Sequence, residues 1–306
     1  MLAHTPVAFL RAFFITLIAI LVISATIIQG TTLLGRPSLP YEKIYRYQIA
    51  KLSTPNVSQL FIGDSSLGNS VNAELWSALT KEKTLNLALT GSFGYEGSYW
   101  MLRRALTAGM KPKIVYLMQT SDMMTRKPVE NDLLAEISQA TGPALLAAWW
   151  RKRMNVQELN SALSWIMKSL SGERNTRQEF DVVNDFIQQG TRLDERKIPA
   201  ALHKSDIVLE KAHYLSLFAS LCKANGIECV YVHGPLAEPA CNNSMQYFEV
   251  IDRVIESTGV RLARPLPRCI PYNELGDAVD HVSPSKKDEF TRSLFIDLGN
   301  KIHVTQ

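Results

Sequence analysis

The sequence predicts an α/β protein, a three-layer sandwich around a central parallel sheet, carrying one N-terminal membrane-spanning helix and a helical insertion. Three observations predict it. Residues 12–34 contain no charge before Arg36 and are dominated by Phe, Ile, Leu, Val and Ala. From Val57 onward, short apolar runs alternate with longer amphipathic ones, the pattern of strands and helices that builds a parallel sheet covered on both faces. Residues 131–205 are polar and mostly helical in pattern, with no clear strand. At 306 residues, 46% hydrophobic and 20% charged, the chain is long enough to bury a full core.

About 20 apolar residues cross a hydrocarbon core of ~30 Å, so 12–34 suffices as a span. A cleaved signal peptide usually has an apolar region of only about 7 to 15 residues before a small-residue site, and Ser24-Ala25-Thr26 matches that site poorly. A helix on a soluble domain would show a polar face that this run lacks at its start. We therefore expect an uncleaved anchor in the inner membrane. The charge count leaves its orientation open, because Arg11 precedes the span while Arg36, Lys43, Arg46 and Lys51 follow it.

Residues 35–56, with Pro37, Pro40 and Pro55, read as a juxtamembrane linker with room for a short helix, and the globular domain is expected from about Val57 to the end. Strands are expected at 59–62, 85–89, 114–118 and 228–233, and helices at 73–79, 95–108, 209–224 and 245–257. Ala108-Gly109, Asn225-Gly226 and Thr258-Gly259 end helices, while Ser283-Pro284 starts a last one running to about Leu298. In the insertion, Trp149-Trp150 followed by Arg151-Lys152-Arg153 suits a membrane surface, an acidic glycan, or a buried aromatic pair beside a solvated charge run.

A net charge of +4 with scattered Lys and Arg lacks the basic stripe of a nucleic-acid binder, which excludes that class. The four cysteines have no CxxC spacing, so structural zinc is not expected. Cys241 and Cys269 fall in loop segments and are expected to pair in an oxidising compartment, whereas Cys222 in a helix and Cys229 in a strand read as small buried hydrophobes.

The chemistry centres on Gly63-Asp64-Ser65, directly after the first strand. Ser65 would stand at that strand's carboxyl end, where open α/β sheets bind ligands. A serine hydroxyl needs a base to remove its proton. Of six histidines, His4 precedes the anchor, His213 lies in an amphipathic helix, and His203 and His303 are in poorly patterned or terminal segments. His233, ending the fourth strand before Gly234-Pro235, competes with His281, which lies just before the last helix in Gly276-Asp277-Ala278-Val279-Asp280-His281-Val282-Ser283-Pro284. The flanking carboxylates can hold the imidazole tautomer and steady its charge.

Across 57–298 these blocks resemble the SGNH, or GDSL-like, hydrolase superfamily and its flavodoxin-like fold, which carries Gly-Asp-Ser after the first strand, a glycine after the second, often an asparagine after the third, and Asp-x-x-His before the C-terminal helix. The resemblance implies Ser65 as nucleophile, His281 as base, and the backbone N–H groups of Ser65 and Gly91 as oxyanion donors. Two departures stand out. Ala278 occupies the position three before His281, so the acid is Asp277 or Asp280, with Asp277 closer to the family spacing. Met118-Gln119-Thr120-Ser121-Asp122 lacks the asparagine, leaving Gln119, Thr120 or Ser121 as a third donor, or a hole with two. No cofactor and no metal are implied.

Anchored SGNH domains resemble proteins that acylate cell-envelope polymers beside a multi-spanning membrane-bound O-acyltransferase. The resemblance implies a domain in the periplasm or outside the cell that transfers an acyl group, with acetyl the first expectation, to a polysaccharide acceptor through acyl-Ser65. An anchored carbohydrate or lipid esterase, and a non-catalytic assembly or glycan-binding protein that keeps the fold, are the alternatives.

Overall fold

The computed structural model describes residues 6–34, 40–126, 156–171 and 192–302, with isolated positions between 134 and 147. The five residues 149–153, with the Trp pair and three cations, lie outside the described residues, as do His4 and His303. The chain forms two compact units, Met1–Lys43 with Gln139–Glu179, and Ile44–Ser138 with Phe180–Gln306.

In the first unit, α1 (Pro6–Leu33) is apolar over nearly its whole length. Its segment Ala8–Leu33, 26 residues, is long and apolar enough to cross a bilayer. Most of its first half is exposed, including Phe9, Phe13, Ile15 and Ile18. A later helix of the insertion packs along it and is labelled α6 below.

The second unit takes in the last turns of α2 (Pro40–Ala50), within the segment expected as a linker. Tyr45 and Gln48 are buried there, and the Gln48 amide donates to the Ala88 carbonyl at 2.8 Å. Proline spacing marks the segment's start but carries no sign of these long-range partners. The strands and helices follow in order: β1 (Gln59–Gly63), α3 (Ser65–Ser70), α4 (Ala73–Thr80), β2 (Thr84–Ala88), α5 (Gly94–Thr107) and β3 (Ile114–Gln119). The insertion contributes α6 (Val156–Leu170), and then come α7 (Ala212–Ala224), β4 (Glu228–His233), β5 (Leu236–Ala237), α8 (Glu238–Asn242), α9 (Met245–Ser257), β6 (Arg261–Leu262), β7 (Cys269–Ile270) and α10 (Lys287–Ile302).

The main sheet has five parallel strands in the order β2-β1-β3-β4-β6. The two-residue β6 is too short for periodicity to reveal. β5 and β7 form a separate parallel pair. Side chains alternate between faces along each strand. Phe61, Tyr116 and Val230 meet Trp76 of α4 and Phe290 and Leu294 of α10 in one core cluster, where the Trp76 and Phe61 rings pack edge to face at 4.9 Å. Tyr231 faces the other way and its hydroxyl meets that of Tyr95 on α5 at 3.1 Å. The sheet is thus covered on both sides, by α3, α4 and α10 on one and by α5 with α7 on the other.

Both cysteine pairs lie at disulfide distance. Cys241 and Cys269, with Cα atoms 5.5 Å apart, join α8 to β7. Cys222 and Cys229 are buried, in keeping with the hydrophobe reading, but are also paired, with Cα atoms 6.1 Å apart across the α7–β4 reversal at Asn225-Gly226. Helix and strand assignments made separately hide that contact, which exists only once the reversal folds one against the other.

Candidate active site

The site is built at the carboxyl end of the sheet, where successive connections leave β1 on opposite sides: the chain passes from β1 to β2 on one flank and then to β3 on the other. Such a reversal opens a crevice above the strands. β1 ends at Gly63, which must be glycine, because a Cβ there would stand 1.7 Å from the Met118 carbonyl oxygen. Asp64 then caps α3, its Oδ1 accepting from the Ser66 N–H at 3.0 Å and the Ser66 hydroxyl at 2.6 Å. Its Oδ2 accepts from the Thr120 N–H at 3.0 Å, which clamps the β1 and β3 ends together. Burial and the Asp280 charge raise the Asp64 carboxyl above its ordinary range, against the lowering effect of Arg126 and these hydrogen bonds.

Ser65 is the first residue of α3, half-buried, and its hydroxyl makes no hydrogen bond to any described residue. Gly91 opens a short turn after β2. Neither the Ser65 nor the Gly91 N–H donates to a described acceptor, as expected of first residues in a helix and a helical turn.

The histidine block reaches this corner from the other end of the sequence. Leu275 bridges Val282, and the Gly276 N–H donates to the His281 carbonyl at 2.8 Å, so 275–282 forms a closed loop. α10 fixes the loop against α3: the Lys287 ammonium donates to the Gly68 carbonyl at 2.7 Å, and the Thr291 hydroxyl lies 3.2 Å from the Ser70 carbonyl oxygen. Within the loop, His281 Nδ1 lies 2.7 Å from Asp277 Oδ1. Asp280 Oδ1 lies 3.8 Å from the other ring nitrogen, Nε2, and its Oδ2 is 3.4 Å from Arg126 Nη2. Burial lowers the imidazole pKa, but Asp280, the Asp277 hydrogen bond and Asp64 more than offset it, leaving His281 above its ordinary range.

No family model and no curated protein matches the sequence. His233, the competing base, is 3% exposed, pairs through Nε2 with Asp252 at 2.7 Å, and sits against the Tyr231 and Phe248 rings. It belongs to the core. His213 and His203 are exposed outside this cluster.

The structure shows where the polar groups of Gln119, Thr120 and Ser121, the candidates for a third oxyanion donor, are engaged. The Thr120 hydroxyl donates to Asp122 Oδ1 at 2.8 Å and its N–H is spent on Asp64. The buried Ser121 hydroxyl donates to the Gly234 carbonyl at 2.9 Å, and the Gln119 amide donates to Ser98 Oγ at 2.6 Å. Each has turned into the sheet end to satisfy a buried polar group, which sequence position alone does not reveal.

Sequence reading misses Arg126. Its Nε donates to Asp122 Oδ1 at 2.8 Å, Nη2 lies 3.4 Å from Thr120 Oγ1 and from Asp280, and Nη1 packs against Gly91. Burial disfavours its charge, yet Asp122, Asp280 and Asp64 more than compensate and raise its pKa further. The Asp122 to Arg126 spacing of four was the available signal, but four-residue ion pairs are common on surfaces. Among the described residues, no group of three or more His, Cys, Asp or Glu is placed to hold a metal ion.

Proposed function

We propose that this chain is a membrane-anchored serine acyltransferase of the SGNH type, acting on an extracytoplasmic polysaccharide. The observation that carries the reading is the Asp277–His281 pair at 2.7 Å on a loop docked by α10 onto α3, the helix that begins at Ser65. The strand order β2-β1-β3-β4-β6 also suits a flavodoxin-like doubly wound sheet.

In this mechanism His281 Nε2 takes the Ser65 proton as Oγ attacks the acyl carbonyl carbon. Asp277 holds Nδ1–H and steadies the imidazolium, while the free N–H groups of Ser65 and Gly91 receive the oxyanion. Collapse passes the proton to the leaving oxygen and leaves acyl-Ser65. A sugar hydroxyl then gives its proton to His281 as it attacks the ester carbonyl, and His281 returns that proton to Ser65 Oγ as the acyl–serine bond breaks and the acylated glycan departs. An apo serine–histidine hydrogen bond is often long and tightens only with substrate, consistent with a Ser65 hydroxyl that has no partner among the described residues. α1 would tether the domain beside a multi-spanning O-acyltransferase that delivers the acyl group, and two cysteine pairs at disulfide distance favour an oxidising compartment.

Labelling by a fluorophosphonate probe tests the nucleophile: signal that requires both Ser65 and His281 is expected, and labelling indifferent to either sinks the enzyme reading. The acyl content of envelope polysaccharide in a Ser65→Ala strain tests the direction of transfer. A fall is expected, whereas a rise identifies water as the acceptor and the protein as an esterase.

A further inference from the structure

Beside the Gly91 corner the second unit holds a cavity of about 350 Å³ that the mechanism above leaves unused. Gly91 and Arg126 stand at its edge, and its apolar wall is Phe93, Tyr95, Met123, Leu134, Val208 and Tyr214. Phe93, Tyr95 and Met123 are themselves buried. The cavity is concave and apolar with few polar groups, the usual character of a small-ligand site.

Its polar neighbours are mostly occupied. The Lys211 ammonium donates to the carbonyls of Met123, at 2.6 Å, and Arg126, and Glu96 accepts from the Trp100 indole N–H at 3.3 Å. Arg126 and Glu210 are the exceptions: the exposed Glu210 carboxylate and Arg126 Nη1 have no hydrogen-bond partner among the described residues. Nη1 is therefore a free donor at the edge where a substrate carbonyl would rest. It does not create an anion site: Asp122 and Asp280 already pair with the guanidinium, with Asp64 and Asp277 near the same corner.

Gly91, one of the two proposed oxyanion donors, lines this cavity together with Arg126, so a carbonyl held on its N–H stands beside the cavity. We infer that this cavity is the acyl-binding site, and that the group carried on Ser65 is an uncharged hydrocarbon acyl chain longer than acetyl. The inference rests on the acyl-serine reading and replaces its first expectation of acetyl. Chain burial is worth up to about fourfold per methylene, so a four-methylene extension gives about 10²-fold.

The test uses full-length protein in lipid nanodiscs, with ethyl and hexyl fluorophosphonates as probes and the rate of Ser65 labelling as readout. The hexyl probe should react about 10²-fold faster, and Val208→Trp and Leu134→Trp, which fill the cavity from two walls, should each bring the hexyl-to-ethyl ratio toward one. Labelling by the ethyl probe reports that each variant has folded. Equal rates on the unmodified protein overturn the acyl site and leave the serine nucleophile standing. A hexyl advantage that survives both tryptophans reflects partition into the bilayer and also overturns it. No Ser65 labelling by either probe removes the acyl-serine reading and this inference with it.

Discussion

Two His–Asp pairs with the same 2.7 Å separation occupy the second unit, and they are built differently. His233 uses Nε2 to reach Asp252, while its Nδ1 is buried without a partner. Its side chain is 1% exposed between aromatic rings. His281 uses Nδ1 to reach Asp277, and its side chain is 12% exposed at the crevice, with a second carboxylate near Nε2. A short imidazole–carboxylate contact is thus no sign of catalysis by itself. What matters is which nitrogen is anchored, because anchoring Nδ1 leaves Nε2 to exchange a proton with a neighbour.

The largest expected effect is Ser65→Ala, which removes the attacking oxygen and abolishes fluorophosphonate labelling. His281→Ala should lower labelling by about 10⁴-fold or more, as loss of a triad base does, measured at equal folded concentration by stopped time points. Asp277→Asn, which leaves shape intact but no longer favours the Nδ1–H tautomer, should cost about 10²- to 10⁴-fold. His233→Ala should instead leave the labelling rate within a few-fold and lower unfolding free energy by about 1–3 kcal/mol, because it strands a buried carboxylate; denaturant titration reads that loss. If His233→Ala silences Ser65 in a folded protein, the division between the two pairs is wrong.

The smallest effect concerns pH. His281 must be neutral to accept the Ser65 proton, and its pKa is raised, so labelling should climb with pH through a midpoint above the ordinary imidazole value of about 6.5. Asp280→Asn removes a charge that favours the imidazolium and should move that midpoint down. A midpoint that stays put would dissociate Asp280 from His281.

The expected strands at 59–62, 114–118 and 228–233 lie within β1, β3 and β4, and 85–89 overlaps β2, because buried parallel strands are written as short unbroken apolar runs. The place of Ser65 just past the end of β1 was legible for the same reason. Asp277 could be preferred over Asp280 by spacing alone, but Arg126 could not be read. It lies in a turn without periodicity, and its partners Asp280 and Gly91 are distant in sequence. The commitments of Thr120 and Ser121 were illegible too, since a hydroxyl's partner depends on which carbonyl the sheet end leaves unsatisfied. So was the Cys222–Cys229 pair.

The ties between α10 and α3 join residues more than 200 positions apart. Ser65 emerges early during synthesis and His281 almost last, so a growing chain carries the hydroxyl long before the proposed base is made. Contacts of such long sequence separation form late, after many nearer ones. On the proposed reading the corner is a completion signal: the Asp277–His281 loop is held against α3 only in molecules whose final helix has docked, and truncated or stalled chains would be chemically silent.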